Sequence, residues 1–144
     1  MQDQGEIFRR IERQYFREQL GGLGLQAVDG MVVRLLDQAG QLRQEDIAYK
    51  IVLDKGTVAR AVARLEEQGL VIRVVPDQCR REKLVSLTEA GRQAGRAIQQ
   101  VMEQWNEISC RGFTQAERKQ YDALLTRMTE NAAQYRRGEE ATNG

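Results

Sequence analysis

The sequence predicts a mainly α fold (α+β) in which helices surround one β-hairpin. Three observations carry this. Only one proline, Pro76, stands among 144 residues. Apolar residues recur at spacings of three and four through most of the chain. One segment alone, Leu70–Val75, is rich in β-branched residues. The length suits a single domain spanning 1–144 with one modest core.

The elements follow in order. Ile7, Phe8, Ile11, Tyr15 and Phe16 form one stripe of a helix over about 6–20, which Gly21, Gly22 and Gly24 interrupt. Val28, Val32, Leu35 and Leu36 give a second helix over Gln26–Gln38, ended by Gly40. Leu42 fits a very short strand. A short helix over Gln44–Val52 turns Ile47, Ala48 and Ile51 inward. Another follows after Val52-Leu53-Asp54, over Lys55–Gln68, with Asp54 as its N-cap and Gly69 as its end. Leu70–Val75 and Lys83–Leu87 are strands about a polar turn at Pro76-Asp77-Gln78. Two strands alone are marginal, so this hairpin must lean on helices. Thr88 starts a long helix to about Arg111, and Thr114-Gln-Ala-Glu117 is a capping box for a last one to about Arg136. Residues 137–144 are polar and expected to fray.

Composition removes several chemistries. There is no His, so neither a His-based triad nor a His metal ligand exists. Cys79 and Cys110 cannot build a tetrahedral Cys/His zinc site within one chain. No nucleophile–base pair, phosphate loop or metal cluster is evident, and Ser86 and Ser109 are the only serines. The expectation is a non-enzyme with no catalytic residues, metal or cofactor. The apolar runs are too short to span a membrane and MQDQGEIFRR lacks the shape of a secretory signal, so a cytoplasmic location is expected.

The functional reading comes from residues 44–83. A short helix, a tight turn, a second helix and a hairpin make a winged helix-turn-helix, with the recognition helix at 55–68 and the wing at 70–87. Val58, Ala61, Val62 and Leu65 face inward; Lys55, Gly56, Thr57, Arg60 and Arg64 lie opposite, beside small Ala59 and Ala63. A helix entering a major groove needs this combination: guanidinium donors for base edges and phosphates, with little bulk between them. Arg80, Arg81 and Lys83 form a basic finger beside Asp77 and Glu82, suited to a minor groove or its phosphates. Residues 43–83 carry nine basic and seven acidic side chains, a net of +2, within a chain of net charge +1. The case therefore rests on where cations point, not on bulk charge. The competing reading is a winged helix used as a protein-interaction or scaffolding module.

The terminal helices suggest a second chain. A helix of about 24 residues is about 36 Å long, more than a small core covers from within. We expect a homodimer through helices at about 6–20 and 88–136, using Phe8, Ile11, Tyr15, Trp105, Leu124, Leu125 and Met128, with the winged helix-turn-helix over about 26–87. A crevice near Tyr15, Met31 and Leu35 is the candidate ligand site.

Gln44-Glu-Asp-Ile-Ala, then Leu65-Glu-Glu-Gln-Gly-Leu-Val, Arg73, Arg80-Arg81 and Leu87-Thr-Glu-Ala-Gly91 together resemble the multiple-antibiotic-resistance regulator (MarR) family, over nearly the whole chain. The resemblance implies an obligate homodimer on a pseudo-palindromic double-stranded DNA operator, usually a repressor. It further implies that Arg81 enters the minor groove and that a small phenolic ligand, or in some members thiol oxidation, releases DNA. One departure is Cys79, where the family's wing usually has an Asp that braces the wing by pairing with an Arg. Asp77 is the candidate substitute for that brace, and Arg80 and Arg81 beside the thiol favour thiolate, making Cys79 the candidate oxidant-sensitive position.

Overall fold

The computed structural model describes residues 3–75 and 83–138. The elements run α1 (Gln4–Gly21), α2 (Ala27–Ala39), β1 (Gln41–Arg43), α3 (Gln44–Ile51), α4 (Lys55–Glu67), β2 (Val71–Val74), β3 (Leu84–Leu87), α5 (Glu89–Ser109) and α6 (Gln115–Arg137). The expected winged helix-turn-helix is present. The chain divides into two compact units, one ending at Trp105 and one beginning at Asn106.

In the first unit the strands form an antiparallel sheet of order β1-β3-β2. Leu42 pairs with Val85, and Val71 through Val74 pair with Leu87 through Leu84. One face of the sheet turns Val71, Val85 and Leu87 into the core, where Val32, Val33 and Leu36 of α2, Ile47 of α3 and Ile98 of α5 are also buried. Helix α4 completes this core. Val58, Ala61, Val62 and Leu65 are fully buried, as their i, i+3, i+4, i+7 spacing requires. Each fully buried Val or Leu contributes about 1.5–3 kcal/mol, so this face seats the helix.

Both ends of α4 are explained locally. Asp54 is its N-cap: one carboxylate oxygen accepts from the Thr57 backbone N–H at 2.7 Å and the other from the Thr57 hydroxyl at 2.7 Å. These bonds, the backbone one first, hold the Asp54 carboxyl below its ordinary value. The turn before it passes through Val52 at φ 57°, a left-handed conformation unusual for a β-branched residue. The α3 C-cap geometry compensates: the Val52 N–H bonds Ala48 and Tyr49 carbonyls, and the Leu53 N–H bonds Ala48.

At its C-terminal end, α4 meets the start of α5. Thr88 donates its hydroxyl to the Gly69 carbonyl at 2.7 Å and accepts from the Gly91 N–H at 3.0 Å, while its own N–H bonds the Leu70 carbonyl. A Cβ at Gly91 would sit well inside contact distance of the Leu70 carbonyl oxygen. Gly91 is therefore a close-approach glycine, and the blocks around Leu65–Val71 and Leu87–Gly91 are two sides of one seam.

The second unit contains the end of α5 and the whole of α6. Thr114 and Glu117 make the reciprocal capping box at 3.1 and 2.9 Å. No α6 residue is buried, and its apolar stripe of Tyr121, Leu124, Leu125, Met128 and Tyr135 is exposed. The N-cap of α1, Asp3, which accepts from the Glu6 N–H, starts that helix two residues before the expected position.

Two outcomes follow. Gly91→Ala is expected to lose at least about 1–3 kcal/mol, because the obstructing atom is backbone and cannot step aside. Gly21→Ala, where a Cβ meets nothing within 4 Å, serves as the neutral comparison in urea unfolding. For Asp54, a depressed folded pKa means that the cap is at full strength above the unfolded value of about 3.9 and is lost as pH falls through the folded one. Asp54→Asn keeps a capping oxygen without the charge. The stability gap between the two proteins is expected to be constant above about pH 5 and to shrink below about pH 4; a gap independent of pH in urea midpoints from pH 3 to 6 contradicts an ionised cap.

Candidate nucleic-acid interface

The inward face of α4 leaves the opposite face to solvent. Lys55, Gly56, Arg60 and Ala63 are exposed, while Thr57 and Ala59 are half-buried at its edges. Arg60 lies back along the first turn. Its Nη2 donates to the Thr57 hydroxyl at 3.3 Å, and a Cβ at Gly56 would fall 3.3 Å from its Nη1. Gly56 thus leaves room for the guanidinium over the helix start. Asp54, Thr57 and Arg60 form a chain of hydrogen bonds that presents a guanidinium edge beside Lys55, where the N-terminal N–H groups of α4 also favour an anion.

Arg64 is placed differently. It was expected in a row with Thr57 and Arg60, yet its guanidinium turns toward α2 and holds Asp29 through two nitrogens, Nη2 at 2.8 Å and Nε at 3.2 Å. Asp29 is 1% exposed and accepts a further bond from the Gln26 N–H at 3.0 Å. Asp29 went unremarked in the sequence because its partner is 35 residues away; the available signal was one carboxylate inside the apolar run Ala27-Val-Asp-Gly-Met-Val-Val33. Two further ties hold α4: Arg73 of β2 reaches Glu66 at 3.5 Å, and the Gln68 amide donates to the Gly24 carbonyl at 3.0 Å.

Lys83 is exposed at the foot of β3. Arg80, Arg81 and Cys79 lie outside the described residues. Helix α4 therefore supplies Lys55, Gly56, Thr57, Ala59 and Arg60 to one continuous face, with Arg64 at its margin committed to Asp29.

A cavity of about 900 Å³ opens in the same unit between α1, α2 and α5. Phe16, Leu20, Leu35, Ile98 and Met102 make it apolar, and Arg13, Arg17 and Arg34 add cations at its wall. The Arg34 Nη1 is buried without a hydrogen-bond partner. Met31 and Leu35, expected at such a crevice, line it. Tyr15 instead stacks on Trp105 at 4.8 Å between ring centroids, in an aromatic group with Phe8 and Phe16. Trp105 is buried within the unit and donates its indole N–H to Glu12 at 2.8 Å, whereas Phe8 and Ile11 remain exposed. Of the expected dimer contacts, Tyr15 and Trp105 are thus engaged inside one subunit.

Among the described residues, no cluster could hold a metal ion and no helix is long and apolar enough to cross a membrane.

Comparison with known proteins agrees with this geometry. The MarR family model matches residues 25–83. Over 100 residues the chain is 32% identical to the uncharacterised HTH-type transcriptional regulator YybA of Bacillus subtilis, covering 69% of this chain and 66% of that protein. It is 30% identical over 98 residues to YxaD of the same organism, covering 68% of each. The homoprotocatechuate degradative operon repressor of Escherichia coli is 28% identical over 118 residues, 81% of this chain and 79% of the repressor. Among solved structures, the transcriptional regulator SlyA superposes with a TM-score of 0.83 at 25% identity, covering 92% of this chain and 93% of its own. A MarR-family regulator from Listeria monocytogenes, solved with a 26mer DNA, gives 0.82 at 24% identity and 99% of both chains, which speaks for the fold. The chain belongs to the MarR family of DNA-binding, winged helix-turn-helix transcriptional regulators.

Proposed function

We propose that this protein is a homodimeric repressor that reads a pseudo-palindromic operator through α4 and is released by a small aromatic ligand. The observation that carries the reading is the two-sidedness of α4: one face fully buried, the other presenting Lys55, Thr57 and Arg60 around a capped helix start. A buried face fixes the helix in orientation, and fixed cationic donors are what groove recognition requires.

Pairing is supported by α6, whose 23 residues bury nothing while exposing Leu124, Leu125 and Met128, and by exposed Phe8 and Ile11 on α1. A helix with an uncovered apolar stripe gains most of its stability from packing that stripe. A two-fold pair of α4 helices matches half-sites about one helical turn apart. Repression is favoured by the likeness to the homoprotocatechuate operon repressor. Ligand release is favoured by the apolar cavity with its three arginines, where the unpaired Arg34 nitrogen suits a phenolate or carboxylate. A thiol-redox response through Cys79 is the alternative form of regulation, and the protein-interaction module is the alternative function.

Selection of genomic fragments by the purified protein is expected to return an inverted repeat, with affinity falling steeply as salt rises. Equal retention of recovered and scrambled DNA overturns the reading, and a flat salt response with no retention favours the interaction module. Arg60→Ala is expected to lose about 1–3 kcal/mol of discrimination at one position per half-site. Arg81→Ala is expected to weaken all sequences alike and to reduce the salt slope by about one per wing. Sedimentation equilibrium is expected to show a dimer that Leu125→Glu with Met128→Glu converts to folded monomers without operator affinity; a dimer unaffected by both places the interface elsewhere.

A further inference from the structure

Helix α2 works on two sides. Ala27, Gly30, Met31 and Arg34, spaced three and four apart, line the cavity. Asp29, one residue from Gly30 and so about a quarter-turn round the helix, points away from that wall and holds Arg64 of α4. The neighbouring Gly30 lets α1 sit directly on α2: a Cβ there would lie 3.3 Å from the Leu20 side chain. Val32, Val33 and Leu36 on the rest of α2 are buried to 1% or less. Little compressible space separates the cavity wall from the ion pair, and close-packed interiors pass displacement on rather than absorbing it.

Asp29 is the charged residue buried among the described residues. Parting it from Arg64 strands a carboxylate out of water, so a shift of α2 that carries Asp29 tends to carry Arg64 with it. The Gln68 amide on the Gly24 carbonyl ties the C-terminal end of α4 to the corner between α1 and α2. The start of α4 lies at the far end from this tie, with Lys55 and Arg60 exposed and Thr57 half-buried.

We propose that Asp29 and Arg64 are positioning residues through which the cavity-facing side of α2 sets the seat of α4, so that a displacement at the cavity wall reaches α4 through this pair. This rests on the DNA-reading role of α4 and adds a route by which that role is regulated. Arg64 then acts on DNA through the placement of α4 and not as a base reader.

The test fills the cavity covalently and so needs no identified ligand. Met31→Trp introduces bulk at the cavity wall. Its effect on operator affinity is measured in two backgrounds: the native pair, and D29N with R64Q, which neutralises both partners and strands no buried charge. The expected result is a tenfold or greater loss from Met31→Trp with the native pair and less than twofold in the neutralised background. R64K with Asp29 kept retains the charge and is expected to restore most of the sensitivity. Equal losses in both backgrounds, or no loss in the native one, overturn the coupling. Hydrogen exchange gives a readout without DNA, and one that stands if the double variant does not fold. Met31→Trp is expected to change amide protection along α4, and unchanged protection overturns the proposal. If the native protein retains no DNA at all, the reading of α4 fails first and takes this coupling with it, an outcome distinct from intact binding with additive losses.

Discussion

A carboxylate taken out of water must keep a cation beside it, and Asp29 keeps Arg64. Removing one partner of such a pair typically costs about 3–5 kcal/mol, less here because a third of the Arg64 side chain still reaches solvent. The rest of α4 is arranged around that constraint. Apolar packing alone lets a helix slide or roll by fractions of an ångström, since Val58, Val62 and Leu65 contact their neighbours without direction. A two-pronged bond from a planar guanidinium adds direction. With the Asp54 cap at one end and the Gln68 amide at the other, it fixes which residues face solvent.

The same economy appears at the seam between α4 and α5. Thr88 satisfies the carbonyls of Gly69 and Leu70 and the amide of Gly91, all of which a helix end and a strand start would otherwise leave unpaired. The recognition element and the long helix that leaves the first unit therefore share hydrogen bonds. A rotation of α5 at its start cannot occur without disturbing the chain that follows α4.

Most of the fold was legible because its signals are local. The four inward residues of α4, the cap at Asp54, the capping box at Thr114 and the strand-forming run after Gly69 each need only neighbours within a turn or two, and each stands where the sequence places it. Leu42 as a short strand was legible for the same reason. What escaped was long-range. Nothing near Arg64 reveals that Asp29 claims it, so the row Thr57, Arg60, Arg64 looked uniform when only its first two members share a hydrogen-bonded chain. A helical stripe states that a face is covered, not by what, and for Trp105 and Tyr15 an intrachain cover was not legible. Both pack in an aromatic group built from α1 and α5. Two of the blocks that carry the family resemblance, Leu65–Val71 and Leu87–Gly91, mark a structural seam.

Charge shows why position outweighs composition in this protein. A net of +2 over residues 43–83 produces no broad positive field, since seven acids, Glu45, Asp46, Glu66 and Glu67 among them, stand against nine cations. Yet these acids are not placed at random. Asp46 and Glu45 engage Arg43, and Glu66 engages Arg73, so they neutralise cations that lie off the start of α4. Asp54 spends both oxygens on Thr57 and the α4 N-terminus. That leaves Lys55 and Arg60 exposed beside the helix start, with Lys50 and Lys83 exposed elsewhere on the unit. A local focus of this kind suits a phosphate-lined groove better than a diffuse basic surface of larger total charge: the first discriminates register along a duplex, and the second binds any polyanion.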